Sequence, residues 1–289
     1  MLRYLALALL LPACNVTLFQ AERDLTLTAD HVPGSKLVVR SQNGMVQIQG
    51  DPNVDRVRIE ATVRCRGKTQ EEADARVVFA KILAEWTDGA LTIRPEFPEE
   101  RRSGDGASFK VRLPDASHIV AETSNGNVKV ILLGGDLRIR TSNGGVGVID
   151  HRGPVDIETS NGGVLMRNIG GPVRARTSNS EMVAENVGAP ADLQSSNGGI
   201  QLALAGDQAG PVHVRTSNGA LGVSVGGAFS GPVRLKTSNG HLIVKDRAGR
   251  VRQKKLEKGK RSGTVQVGEG GERSTLQTSN GSVTFTIGK

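Results

Sequence analysis

Downstream of Thr123, apolar and polar side chains alternate in short segments separated by Gly, Pro or Asn-Gly. One copy, from Thr159, runs Thr-Ser-Asn-Gly-Gly-Val-Leu-Met-Arg-Asn-Ile-Gly-Gly-Pro-Val-Arg-Ala-Arg. Val164 and Met166 alternate with Leu165, and Val173 and Ala175 with Arg174 and Arg176. A period of two is the signature of strands with one buried face, and no helical period interrupts it. Superposed copies align Val128, Val146, Val164, Met182, Ile200, Leu221, Leu242 and Val283 in one column. Leu137, Val155, Val173, Ala191, Val212 and Val233 form a second. A single copy would leave its apolar face wet, whereas stacked copies bury a continuous core.

The punctuation is itself periodic. Ser-Asn-Gly, or Ser-Asn-Ser at Asn179, places asparagines at Asn125, Asn143, Asn161, Asn179, Asn197, Asn218, Asn239 and Asn280, spaced 18, 18, 18, 18, 21, 21 and 41 residues apart. The last interval is about two periods, so one coil has lost its Asn-Gly or gained an insertion. Asn43, in Ser-Gln-Asn-Gly, is an outlying earlier copy. The alternation predicts that the Thr and Asn of each motif point inward and the Ser outward, with the asparagines forming a ladder from coil to coil. The following glycine would supply a positive φ at the corner. Outward columns read Arg138, Asp156, Arg174, Asp192 and Arg140, Glu158, Arg176, Gln194. Stacking would turn these into ion pairs that favour one register.

Residues 23–120 lack the regular repeat. Leu37–Arg40 and Arg56–Val63 are strand-like, and Thr69 can cap a helix reaching Lys81, with Glu71, Glu72 and Asp74 in its first turn. Asp88-Gly89 between apolar alternations signals a hairpin. Pro95–Ser108 has the composition of a mobile loop, and Phe109–Pro114 is a strand leading into the first regular coil.

This order resembles the bacterial β-strand-repeat family known as "putative adhesins", of unknown function: an early Asn-Gly copy, a strand pair, a Glu/Ala-rich helix, a Gly-turn hairpin, a strand ending in Leu-Pro-Asp, then Ser-Asn-Gly repeats. The resemblance spans nearly the whole chain after the leader. It implies a β-helical shape and an adhesive or structural role, and brings no catalytic residues to carry over. Ser180 in place of Gly, and the long interval from Asn239 to Asn280, depart from the simple pattern. The expected architecture is all-β: a single-stranded parallel β-solenoid of about eight coils, behind an N-terminal β-rich cap containing one helix. Its divisions are a leader at 1–13, the cap region at 14–120, and the repeats at 121–289 with a basic insertion near 245–263.

Composition agrees with a repeat. Aromatic residues are 3% of the chain and glycines number 37, as suits a thin core of stacked aliphatics. At the start, Met-Leu-Arg precedes an apolar run from Tyr4 to Leu11, too short to span a bilayer. Leu11-Pro12-Ala13-Cys14 resembles the lipobox of bacterial lipoproteins, which implies acylation of Cys14; Asn15 after it implies the outer membrane. The expected partners are therefore a membrane, held through lipid, and a polymer of the cell envelope. Cys65 is then the single remaining cysteine, placed by parity on an apolar face.

Charge is distributed unevenly. Residues 14–194 hold 22 Lys and Arg against 24 Asp and Glu, while residues 195–289 hold 14 against 5. Much of the excess lies in Lys245, Arg247, Arg250, Arg252, Lys254, Lys255, Lys258, Lys260 and Arg261, a run expected to form a loop that contacts an anionic partner such as an acidic polysaccharide. Nucleic acid fits poorly, because no aromatics are interleaved for base stacking.

Catalytic and metal signals are weak. Gly222-Val223-Ser224-Val225-Gly226 matches a nucleophile elbow, but that motif needs a following helix, which a repeat strand excludes. His31, His118, His151, His213 and His241 have no metal-ligand spacing and are expected at the solvent surface. The repeats lack the Gly-Gly-x-Gly-x-Asp pattern of calcium-binding rolls. No catalytic, cofactor or metal residues are assigned. The alternative is a β-helical enzyme acting on acidic polysaccharide, which would need clustered carboxylates.

Overall fold

The computed structural model describes residues 19–98, 101–257, 259 and 261–288. The leader with Cys14, and Lys258 and Lys260, lie outside the described residues. Within them the chain is all-β with one helix, built on two large, mostly parallel sheets. The N-terminal region contributes β1 (Phe19–Asp30), β2 (Lys36–Arg40), β3 (Val46–Gly50), β4 (Arg56–Gly67), α1 (Gln70–Phe79), β5 (Lys81–Thr87), β6 (Ala90–Glu96) and β7 (Gly106–Leu113).

The repeats then alternate between sheets. β8 (His118–Glu122), β10 (Asp136–Arg140), β12 (Val155–Glu158), β14 (Val173–Arg176), β16 (Ala191–Gln194), β18 (Val212–Arg215) and β20 (Gly231–Lys236) enter one sheet. β9 (Val128–Ile131), β11 (Val146–His151), β13 (Val164–Ile169), β15 (Met182–Val187), β17 (Ile200–Leu204), β19 (Leu221–Val225) and β21 (Leu242–Asp246) enter the other. A hairpin of β22 (Val251–Leu256) and β23 (Ser262–Val267) precedes a last pair, β24 (Ser274–Gln277) and β25 (Val283–Ile287).

The twelve-stranded sheet runs β1-β4-β7-β3-β9-β11-β13-β15-β17-β19-β25-β21, and the thirteen-stranded sheet β22-β23-β20-β24-β18-β16-β14-β12-β10-β8-β2-β6-β5. Setting aside β1, β4, β5, β22 and β23, ten strands of each sheet pair in parallel, giving ten two-strand layers. At about 4.8 Å per layer the stack is roughly 45 Å long. The core is the inward half of each strand. Val146, Val148, Val155 and Ile157 of neighbouring layers are at most 3% exposed, and the other layers repeat the arrangement.

Both ends of the stack depart from chain order. At one end β6 and β7 lie outside β2 and β3, which come earlier in the chain and pair directly with β8 and β9. Regular stacking therefore extends below residue 121. At the other end the last pair, β24 and β25, is inserted beneath the earlier pair β20 and β21. The interval from Asn239 to Asn280 is thus neither a degenerate coil nor a simple insertion. It holds the β22–β23 hairpin, laid antiparallel on β20, and the return path to an interior layer. The apolar column runs Leu221, Val283, Leu242 in space, correcting the sequence order. In the inserted layer Ser274 occupies a core position; its hydroxyl accepts from the Val212 N–H at 3.0 Å, and Phe285 packs edge-on to Phe229 with ring centroids 6.0 Å apart.

Helix α1 begins as its cap predicts, with the Thr69 hydroxyl accepting from the Glu72 N–H at 3.1 Å. Asp88 and Gly89 take φ of 52° and 73°, and they close the β5–β6 hairpin. In the segment expected to be a mobile loop, residues 95–96 belong to β6, 106–108 to β7, and the stretch at 101–105 is tied down. Asp105 is fully buried, accepts from Arg66 N–H and Arg102 N–H at 2.8 Å, and pairs with the buried Arg76 of α1 at 2.6 Å. Cys65 lies buried nearby; burial, then the charge of Asp105, pushes its thiol up to about 11, so no reactive thiolate forms at neutral pH.

The motif corner holds the register, by a geometry different from the one the alternation suggested. Its asparagines do form a continuous ladder, each Nδ2 donating to the Oδ1 one layer on, from Asn125 on Asn43 (2.6 Å) to Asn280 on Asn218 (2.6 Å) and Asn239 on Asn280 (2.7 Å). At its foot Asn43 donates to the Asp105 carbonyl at 2.9 Å. The ladder, however, faces solvent, since two consecutive motif residues turn outward at the corner. The threonines are the inward members. Thr159 is 7% exposed, accepts from the Gly162 N–H at 3.3 Å and donates to the Gly144 carbonyl of the next layer at 3.2 Å.

The motif glycines adopt no positive φ. They are required because each lies directly over the backbone of the adjacent layer, in most copies over its glycine: a Cβ on Gly162 would sit 1.7 Å from the Gly144 carbonyl oxygen. Ser180, the one exception among the described copies, brings a hydroxyl that donates to the Asn161 carbonyl at 2.9 Å. Gly162→Ala should therefore destabilise by about 1–3 kcal/mol or more through overpacking. Asn161→Ala loses two exposed hydrogen bonds and should cost about 1 kcal/mol. Thermal melts of the two variants test the ranking. A lower Tm for Asn161→Ala would show that the exposed ladder, rather than the glycine column, sets the layer spacing.

Candidate functional site

Charge is organised on the outer face of the thirteen-stranded sheet, because every second residue of each parallel strand points there and each position stacks into a column. In the lower half of the stack the columns neutralise themselves. Arg40 pairs with Glu122 at 3.0 Å, and Arg138 with Asp156 and Arg140 with Glu158 at 3.2 Å each. Arg174 and Arg176 share Asp192 at 4.0 Å, where Gln194 also donates at 3.0 Å. Glu122, Asp156, Glu158 and Asp192 are thus engaged by arginines, Asp136 lies 3.9 Å from His118, and Arg167–Glu185 on the twelve-stranded sheet repeats the device at 2.8 Å. Exposed pairs of this kind contribute a few tenths of a kcal/mol each.

Above Asp192 no acid stands in these two columns until Glu257, at the end of β22 opposite Ser262. His213 and Arg215 stand on β18, Thr275 and Gln277 on β24, Arg234 and Lys236 on β20, Thr264 on β23 and Lys255 on β22, in register from strand to strand. Among the described residues, Arg215, Arg234, Lys236 and Lys255 enter no ion pair, and their side chains are exposed.

The expected basic loop is instead largely strand. Arg252, Lys254 and Lys255 lie exposed on β22, the edge strand of the sheet. The hairpin divides the predicted cluster. Lys255 falls in line with Thr264 and Arg234 on the outer face, whereas Lys254 sits opposite Val265 and shares the side that faces inward elsewhere. Lys245 is on β21, in the other sheet, beside Thr286. Arg247 and Arg250 border the turn into β22, where the Asp246 carboxylate accepts from Val251 and Arg250 N–H at 2.8 and 3.0 Å; these bonds, the Val251 bond foremost, hold its pKa below the usual range. The Arg261 carbonyl accepts from the Thr237 N–H at 2.8 Å. The outward columns of the sequence already set His213, Arg215, Arg234 and Lys236 where earlier coils alternate acid and base; what they could not reveal is the β24 that spaces them, which comes 38 residues or more later in the chain.

A second corner was also missed. Leu132, Asp150, Asn168 and Asn186 each take φ between 54° and 56°, 18 residues apart, and Asn186 donates to Asn168 (2.9 Å), which donates to Asp150 (2.7 Å). Their exact period could have signalled it. They border a shallow groove of 810 Å3 with His151 and Arg152. His151, expected at the surface, is fully buried, because the left-handed turn at Asp150 rotates it into the core; its Nε2 lies 3.0 Å from the Gly135 carbonyl. Ser224 lies exposed on β19, between Ala203 and Thr286, with no helix following. Among the described residues, no three His, Cys, Asp or Glu side chains are grouped to hold a metal, and no helix is long and apolar enough to cross a membrane.

No family model matches the chain, and no curated protein matches it. Solved structures similar to it include a "putative adhesin" from Bacteroides fragilis (11% identity over 92% of this chain and 97% of that one, TM-score 0.37). Another from Parabacteroides merdae shows 12% identity over 94% and 97%, TM-score 0.36. A "putative cell adhesion protein" from Clostridium sporogenes shows 11% identity over 93% and 100%, TM-score 0.24.

Burial lowers the pKa of His151 below the usual 6.5, opposed by acceptance of its proton by the Gly135 and Pro154 carbonyls; Arg152 lowers it further and Asp136 raises it. The unfolded chain therefore binds this proton more readily than the folded one. Stability is fully present above about pH 6.5 and declines as pH falls through the window beneath it. His151→Gln should lower the Tm at pH 7.5 yet reduce its further fall between pH 7 and 5.5. Parallel Tm–pH curves for the two proteins would rule out this linkage.

Proposed function

We propose that this protein is a non-catalytic, lipid-anchored component of a bacterial cell envelope, a two-sheet β-solenoid that holds an anionic envelope polymer on its C-terminal outer face. The observation carrying the proposal is the change along one surface: ion-paired columns up to Asp192, then cations without acidic partners from Arg215 onward. A solvated basic face needs no such boundary. The losses on the acid side cost the fold little, because exposed pairs contribute little.

The lipid anchor rests on the Leu-Pro-Ala-Cys sequence ending at Cys14, with β1 starting five residues later at the opposite end of the stack from β20. An upright molecule would hold the cationic end roughly 50 Å from its own bilayer. That is several Debye lengths at physiological salt, about 8 Å each, so the partner is a polymer rather than the anchoring lipid. Most carboxylates of the lower face, Asp156 and Glu158 among them, are bound to arginines, which supports binding over hydrolysis.

Cys14→Ser should shift the protein from the membrane to the soluble fraction of a cell lysate; unchanged membrane partitioning would remove the anchor from this reading. Replacing Arg215, Arg234, Lys236 and Lys255 together with Gln should weaken retention on an immobilised acidic polysaccharide about tenfold and flatten its salt dependence. The Tm should hardly move, since these are surface positions. Equal retention and an equal salt slope would sink the polymer-binding role.

A further inference from the structure

We infer that the C-terminal face is matched to a particular class of polyanion: an extended acidic polysaccharide in which a charged sugar alternates with a neutral one. The inference rests on the polymer-binding reading above and deepens it. Its basis is a regularity visible only in the spatial order of the layers. On the column through Arg140, cations stand on every second strand from β2 to β20: Arg40, Arg140, Arg176, Arg215 and Lys236. The adjacent column repeats the phase with Arg138, Arg174, His213 and Arg234, then Lys255 across the hairpin. Chain order would place Arg215 and Lys236 on neighbouring strands. The return of the chain end places β24 between them and restores the alternation.

What occupies the intervening strands changes halfway. In the lower half it is acid, as with Glu122, Glu158 and Asp156, and each cation is consumed. In the upper half it is Gln277, Thr275 and Thr264, whose side chains make no hydrogen bond within the protein among the described residues. The free surface therefore alternates a cation with a neutral hydrogen-bonding group. Cations recur every two strand spacings, a little under 10 Å. That is about the length of an extended disaccharide. A uronate on one sugar would meet Arg or Lys, and the hydroxyls of the neutral sugar would meet the amide and hydroxyls between. Nucleic acid does not fit this period, since each strand carries a charge about every 3.4 Å. Below Arg40 the phase ends at Arg94, which pairs with Glu85; at the other end the column through Lys236 and Ser262 ends at the exposed Glu257, beside Lys255 on the edge strand and hydrogen-bonded to Ser262. The open lattice is thus confined to the upper half of the face.

The experiment compares binding of the full chain carrying Cys14→Ser to hyaluronan, with one carboxylate per disaccharide, and to polygalacturonate, with one per sugar. The second protein adds Thr275→Lys and Gln277→Lys, filling the intervening strand with cations; a third adds Thr275→Glu and Gln277→Glu, extending the lower-half pattern. Melting curves check that each remains folded. The lysine pair should tighten polygalacturonate binding about fivefold or more and leave hyaluronan nearly unchanged, because the sparse polymer has no charge over the filled strand. The glutamate pair should weaken both polymers about tenfold and raise the Tm slightly. Equal gains for both polymers with the lysine pair would overturn the spacing inference while leaving the polymer-binding reading intact. Failure of the parent chain to bind either polymer would overturn both.

Discussion

The close approach of backbone at the Thr-Ser-Asn-Gly corner is the constraint on which the rest of the structure depends. A Cβ at Gly162 would lie 1.7 Å from the Gly144 carbonyl oxygen, so the layers superpose there in a way that only glycine's bare backbone accommodates. The inward threonine hydroxyl bridges each layer to the next, and the outward asparagine ladder adds a second strand of directional bonds. Superposition converts a position in the repeat into a column in space. A column of Val, Ile, Leu and Met becomes a thin dry core that needs few aromatics, and a column of charges becomes a surface pattern.

The ends of the stack face the usual hazard of parallel sheets, an open row of unpaired backbone groups. Antiparallel strands cover three of the four ends: β1 with β4, β5, and the β22–β23 hairpin. At both ends the terminal layer in the chain is moved one place inward, so that neither β2–β3 nor β24–β25 is left at the edge. The N-terminal end is further fastened by Asp105, which joins the foot of the asparagine ladder through its carbonyl and α1 through its carboxylate.

The same arrangement separates stability from the proposed recognition. Core columns and the glycine corner carry the energetics, while outer columns contribute only exposed pairs. Acids can therefore be exchanged for Gln and Thr in the upper layers without endangering the fold. The cations released in this way remain spaced by the intervening neutral strand, which keeps like charges off directly adjacent positions where they would repel. In the proposed role, this economy lets one repeat serve as scaffold in its lower half and as a polyanion surface in its upper half.

The sequence by itself determined the strands, their inward faces, the repeat, the helix cap at Thr69 and the hairpin at Asp88-Gly89, because these depend on local periodicity and turn chemistry. It also determined the asparagine ladder and the lower ion pairs, since uniform 18-residue spacing puts partners in register whatever the coil's shape. The tertiary structure decided what local alternation cannot express. At a corner two successive residues turn outward, so parity failed for Asn161, and at the left-handed Asp150 it failed for His151. It decided that the motif glycines answer to a neighbouring layer rather than to φ, and that Lys254 and Lys255 diverge. Above all it decided that β24 lies between β18 and β20. Strand order within a sheet is fixed by long-range pairing, and a run of residues carries no mark of which layer its end will return to.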